Sequence, residues 1–199
     1  MAYSDFTIEH LKKRFGISTA ENRMLFPHPA PAQLSPELSV LLKHYFPLAQ
    51  AIGTEKAKSE FIIAPVLGEL KRKYPDTVGL FSGCDFDVDK ESGLTGRCDF
   101  IITKSPEQYI IESPAIMMVE AKNDRIKDGI PQCIAEMVGA EKFNQSRGNP
   151  AENIYGIVST GNIWKFLKLS DNTVSIDMEE YHLKEIDTIF GILTAIVSS

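Results

Sequence analysis

The stretch 115–121 reads Ala-Ile-Met-Met-Val-Glu-Ala and is apolar at every position but one. A run this apolar and this short reads as a buried strand. Such a strand must be covered, and a mixed sheet flanked by helices is the natural packing. The chain is far too broken by charges to offer the ~20 apolar residues that a bilayer span needs.

The flanking segments supply the other layers. Residues 78–89 carry the alternation Asp85-Phe86-Asp87-Val88-Asp89, residues 90–93 supply a turn, and 94–103 return as a second strand. Residues 105–113 connect this hairpin to the apolar strand. A helix is expected over 131–144, with Pro131 in its first turn. Strands 154–160 and 162–169 form a hairpin around Gly161, followed by a short strand near 174–176 and an amphipathic helix over 184–197. Upstream, Thr54 caps a long helix whose stripe holds Ile62, Ile63, Val66, Leu67 and Leu70, with a kink expected at Pro65. The first quarter reads as an appendage. Ser4 caps a helix over 5–15 that stops at Gly16. The four prolines within 21–36 make an extended loop, and Ser35-Pro36 opens a helix stopped at Pro47. The division is therefore an N-terminal helical extension with a Pro-rich strap over 1–50, and an α/β core domain over 51–199.

Composition narrows the class. The 199 residues are 43% hydrophobic and 24% charged, as in an ordinary globular domain. Three cysteines at wide spacing, with no C-x-x-C, predict a reduced, cytoplasmic protein without a disulfide framework or zinc site. Residues 1–15 lack the apolar segment of a signal peptide. With 21 Lys+Arg against 27 Asp+Glu the net charge is −6, which argues against non-specific coating of nucleic acid but not against a local basic groove.

The chemistry gathers at the end of the apolar strand. Glu120 and Lys122 share one face while Val119 and Ala121 take the other. On the preceding strand Asp99 is embedded in Cys98-Asp99-Phe100-Ile101-Ile102. If the two strands pair, Asp99 and Glu120 converge. Two carboxylates and the Ala121 carbonyl are hard oxygen donors suited to Mg²⁺, with Mn²⁺ as a substitute. A lysine beside them can orient the attacking water or help deprotonate it.

These residues carry a family resemblance. Thr54-Glu55-Lys56-Ala57-Lys58-Ser59-Glu60 opening a helix, then Gly96-Arg97-Cys98-Asp99, then Val119-Glu120-Ala121-Lys122, resemble in order the PD-(D/E)XK nuclease superfamily, with its restriction-endonuclease-like fold. The nearest branch is that of the nuclease domains of type I restriction enzymes and related small bacterial proteins. The resemblance implies Asp99 and Glu120 as metal ligands and Lys122 as the catalytic lysine. It departs at Cys98, where the family often has Pro. An acid of the first core helix approaches the site in that family. By wheel arithmetic Glu55 lies about 40° from Ser59 and about 20° from Ile62, on the apolar stripe, while Glu60 lies about 140° away from Glu55. Glu55 is preferred and Glu60 is the second choice. Gln132 is similar to a glutamine that some branches place beside the site. Those branches often carry Tyr four residues later, where Glu136 stands here.

The remaining features read as structure. Asp85, Asp87 and Asp89 do not make a calcium loop, because the residues between them are apolar, Lys90 stands where such a loop wants Gly, and Gly96 where it wants Glu. His10, His28, His44 and His182 pair with no nucleophile, and no phosphate-binding glycine loop is present. The expected function is a Mg²⁺-dependent endonuclease that hydrolyses DNA phosphodiesters, with Asp99, Glu120 and Ala121 at the metal, and Lys122, Glu55 and Gln132 around it. No membrane or organic cofactor is expected. Cutting two strands with one small site is compatible with a two-fold homodimer, and the sequence leaves the oligomeric state open. The rivals are a non-catalytic binding or regulatory module on the same fold, and a metal-dependent phosphodiesterase acting on RNA.

Overall fold

The structure is a computed structural model and describes residues 1–199, the side chain of residue 22 excepted. Its strands are β1 (Ser18–Arg23), β2 (Gly79–Asp85), β3 (Arg97–Thr103), β4 (Ala115–Ala121), β5 (Ile154–Ser159), β6 (Ile163–Ser170), β7 (Thr173–Asp177) and β8 (Tyr181–His182). Its helices are α1 (Ile8–Phe15), α2 (Pro36–Ile52), α3 (Glu55–Lys58), α4 (Ala64–Lys73), α5 (Ile126–Ser146) and α6 (Ile186–Ser198). The chain is of the α/β class, built on one mixed eight-stranded sheet in the order β1-β7-β6-β5-β4-β3-β2, with β8 beside β6. The β1–β7 and β4–β5 pairs are parallel and the others antiparallel. Among the described residues no helix is long and apolar enough to cross a membrane.

The apolar run 115–121 is β4, buried at every position, and both sheet faces are covered. One face packs Val119, Phe166 and Trp164 under Ile62, Val66 and Phe190 from the α4 and α6 side. The other packs Met118, Val158 and Leu167 under Cys133, Ile134 and Met137 of α5. Gly156 of β5 lets α5 come this close, because a Cβ there would stand 2.8 Å from the Cys133 sulfur.

Several elements differ from the sequence expectation, each for a local reason. Helix α2 runs through Pro47 to an αL cap at Gly53. Pro47 and the residue one turn before it, Lys43, are both exposed, so water can take the carbonyl that the proline cannot serve. Helix α5 starts at Ile126, ahead of Pro131. The long helix after Thr54 contains a π-helical segment, Ser59–Ile63, rather than a simple kink. That wide turn holds the carbonyl of Phe61, the group a proline ring at position 65 would otherwise strike. Strand β1 lies partly where an extended loop was expected. Its Ser-Thr-Ala-Glu-Asn-Arg sequence has no apolar alternation, and the ladder with β7 carries it instead. The first helix is capped by Thr7, not Ser4, and ends at Gly16 in the αL conformation as expected.

The first 50 residues are woven into the rest. Tyr3, Phe6 and Leu11 belong to the cluster beneath α5, and α2 runs through residue 50. The proline segment after β1 lies against α6. The Ala32 amide donates to the Asp187 carbonyl at 2.9 Å, and Gly191 leaves room for the backbone of Ala30.

Candidate active site

Strand pairing brings the predicted acids together. The β3–β4 register matches Phe100 with Val119 and Ile101 with Met118. Continuing it by one residue sets Asp99 opposite Glu120, on the same face, where facing Cβ atoms stand about 4.5–5.5 Å apart. Asp99 also fixes the strand end, since its Oδ2 accepts the Ala121 amide at 2.8 Å. N–H and C=O of one strand residue share an edge, so the Ala121 carbonyl faces β3 as well.

Glu120 is only 2% exposed. One of its oxygens, Oε1, is ion-paired with the Lys122 ammonium, while Oε2 has no hydrogen-bond partner among the described residues. Burial first, and the Asp99 charge second, push the Glu120 carboxyl up to about 7, against the pull of Lys122. Burial alone would lower the Lys122 value, but the Glu120 carboxylate outweighs it and raises it. Lys122 is therefore an ammonium at neutral pH, a donor rather than a base.

Helix α5 closes the site from one side. Gln132 presents Oε1 to Lys122 Nζ at 3.5 Å and donates through Nε2 to Glu136 Oε1 at 3.2 Å. Glu136 is wholly buried, and burial followed by the Glu120 charge holds its carboxyl far above the usual carboxylate range. Its Oε2, like that of Glu120, has no partner among the described residues. Gly129, one turn earlier, lets the helix touch Lys122, since a Cβ there would stand 2.9 Å from Lys122 Cγ.

The helix that begins at Thr54 contributes differently from expectation. Glu55 is exposed and does not sit on the buried stripe. The wheel arithmetic assumes a regular helix, and the π segment between Glu55 and Ile62 breaks that phase. Glu55 still lies near enough for its charge to act on Glu120 and Lys122. Glu60 turns outward and pairs with Lys56 at 2.8 Å. In the first turns of this helix Lys58 is buried, and it donates to the Asn123 carbonyl and to Asn123 Oδ1 at 3.0 Å, pinning the chain just after Lys122. Sequence reasoning passed over Lys58. Its spacing of four from Ile62 is the signal that could have found it.

The rest of the neighbourhood is inert. Burial raises the Cys98 and Cys133 thiols far above their ordinary value, so neither is a nucleophile. Arg97 is paired with Asp85 at 3.2 Å, and Asp89 with Lys142 at 2.8 Å.

Among the described residues no group of three or more His, Cys, Asp and Glu side chains is arranged to hold a metal ion. The donors on offer are two carboxylates and a carbonyl, with one buried carboxylate oxygen unpartnered. That all-oxygen set fits Mg²⁺, which keeps several waters and takes only one or two carboxylates from a protein. Compared with family models, curated proteins and solved structures, the chain matches none.

Proposed function

We propose that this protein is a Mg²⁺-dependent nuclease of restriction-endonuclease-like fold that hydrolyses DNA phosphodiester bonds. The observation that carries the reading is the meeting of Asp99, Glu120 and Lys122 on one face at the end of two buried strands, with a Glu120 oxygen left unpartnered. A buried carboxylate without a full set of partners costs stability, and a cation or proton at Oε2 removes the cost.

Asp99, Glu120 and the Ala121 carbonyl would hold the ion, which supplies Lewis acidity and a more acidic bound water. Lys122, kept cationic by Glu120, donates to the attacking water or to a phosphate oxygen on which charge builds. Gln132 holds Lys122 from the α5 side. Water's oxygen joins phosphorus as the P–O bond to one sugar breaks. One water proton ends on the departing alcohol and the hydroxyl stays on the phosphate. A two-fold pair of such sites would cut both strands.

The test is cleavage of plasmid, single-stranded DNA and RNA with Mg²⁺ or Mn²⁺. Loss of cleavage in Glu120→Ala and in Lys122→Ala supports the reading, and the preferred polymer separates DNA from RNA. A trace activity equal in wild type and both variants defeats it. The net charge of −6 favours a second reading, a binding module that retains the fold, because phosphate binding draws on basic surface. A folded protein that neither cleaves nor binds DNA, with or without Mg²⁺, is its signature.

A further inference from the structure

We propose that Glu136 is a positioning residue that holds Lys122 in place through Gln132. The inference rests on the proposed hydrolase only for what Lys122 does, not for how it is held.

Glu136 is 0% exposed and makes no salt bridge among the described residues. A carboxyl buried without a cation is expensive, and an aliphatic side chain of its size would pack there at lower cost. Its contacts suggest what the group does instead. Glu136 and Gln132 are one helical turn apart on α5, so their side chains are neighbours. A primary amide has donors on one side and an acceptor on the other. With Nε2 anchored on Glu136 Oε1 at 3.2 Å, Gln132 must turn Oε1 away from Glu136, and it faces Lys122 Nζ at 3.5 Å. Flipped, the amide would aim its N–H groups at an ammonium, which is repulsive. Glu136 thus selects the amide orientation that Lys122 needs.

The ammonium then has an acceptor on each of two elements, Glu120 Oε1 on β4 and Gln132 Oε1 on α5. Two of its three protons are committed and the third is left for a water or phosphate oxygen. Without Gln132 the long lysine stem is held by one partner only, and side-chain entropy loosens it.

The test is pulsed acetylation of the full, metal-free chain with acetic anhydride. Mass spectrometry reads modification at Lys122, normalised to Lys90, whose side chain is 79% exposed. Glu136→Met keeps the length and removes the acceptor. Glu136→Gln keeps a carbonyl oxygen for Gln132. Glu136→Met is expected to raise Lys122 labelling about fivefold or more, Glu136→Gln to bring it back within about twofold of wild type, and Gln132→Leu added to Glu136→Met to raise it no further. If Glu136→Met does not fold, Gln132→Leu alone must give the same rise. Wild-type labelling in folded Glu136→Met or in Gln132→Leu overturns the proposal, as does a Glu136→Gln that behaves like Glu136→Met. With Mg²⁺ and DNA, Glu136→Met is expected to lower kcat about tenfold with KM unchanged. If labelling follows the pattern while wild type cleaves nothing, the positioning role stands and the nuclease reading falls.

Discussion

Glu69 and Asp177 are buried about as deeply as Glu120 and Glu136, at 8%, 1%, 2% and 0% exposure, yet their surroundings are opposite. Glu69 accepts two bonds from Arg72, at 2.8 and 2.7 Å, and one from the Ser35 amide at 3.1 Å. Asp177 accepts from the amides of Leu25 and Glu179, both at 3.2 Å, and from the Tyr181 hydroxyl at 3.3 Å. The first acid holds the end of the proline segment at the cap of α2. The second holds its beginning, just after β1. Both are accounted for by the fold. Glu120 and Glu136 keep one oxygen each without a partner. Full satisfaction marks a structural carboxylate, and incomplete satisfaction marks a place where the chain tolerates a cost for some other purpose.

The largest break in that contrast is expected in activity. Glu120→Ala and Lys122→Ala should each lower Mg²⁺-dependent cleavage by about 10³-fold or more, roughly 4 kcal/mol of transition-state stabilisation. The folded fraction, followed by circular dichroism, should change little, because Glu120 serves no other part of the fold. Asp177→Ala should do the reverse. It strips the partner from three donors, at a cost of about 2–4 kcal/mol in urea unfolding, with cleavage per folded molecule unchanged. An Asp177→Ala protein that is stable but inactive would place Asp177 on the wrong side of the comparison.

How far the sequence reveals each region follows the same physics. Strand β4 was legible to the residue, because seven buried positions leave a continuous apolar signal. Asp99, Glu120 and Lys122 were legible because a charge inside such a strand stands out. Strand β1 was not, since its stability lies in a ladder to a strand about 150 residues away and its side chains encode nothing of it. Glu55 was misplaced on the buried stripe because a π turn is invisible to a fixed helical period. Lys58 was missed because a buried lysine looks like any other lysine until its partner, the turn at Asn123, is in place. Nor could spacing reveal what Glu136 touches, because that depends on how α5 crosses β4.

Gly129 sharpens the contrast between fold and site within one helix. A Cβ there would press on Lys122 and on Val158, whose Cγ1 lies at 2.7 Å. Alanine also gains helix propensity over glycine by up to about 1 kcal/mol. Gly129→Ala should therefore leave the melting temperature within a few degrees of wild type, roughly a 1 kcal/mol change at most. Cleavage should fall about tenfold because Lys122 is displaced. Equal activity in the two proteins would mean that Val158 gives way and that the lysine does not need its present position.

The smallest effect is a difference in pH response between two buried glutamates. The Arg72 hydrogen bonds, opposed by burial, hold the Glu69 carboxyl below its ordinary value of 4.5. A folded value below the unfolded one means that ionised Glu69 stabilises the protein above the unfolded value, and that this is lost as pH falls through the folded one. Glu120 runs the other way. With its folded value raised from 4.5 to about 7, its ionised form costs stability at pH 8, and the cost fades as pH falls from about 7 toward 4.5. Acidification from 8 to 5 should thus relieve the site while leaving the Glu69 clamp intact. Arg72 is 64% exposed, so solvent screens the clamp, and Glu69→Gln should cost only about 1 kcal/mol at pH 7. The gap between wild type and variant in urea unfolding should hold from pH 8 to 5, begin to narrow below about 4.5 and close only once pH has fallen through the lower folded value. A gap that does not narrow at all below about 4.5 would show that hydrogen-bond geometry, not charge, makes Glu69 structural. The boundary between the two kinds of carboxylate would then be drawn by partners alone.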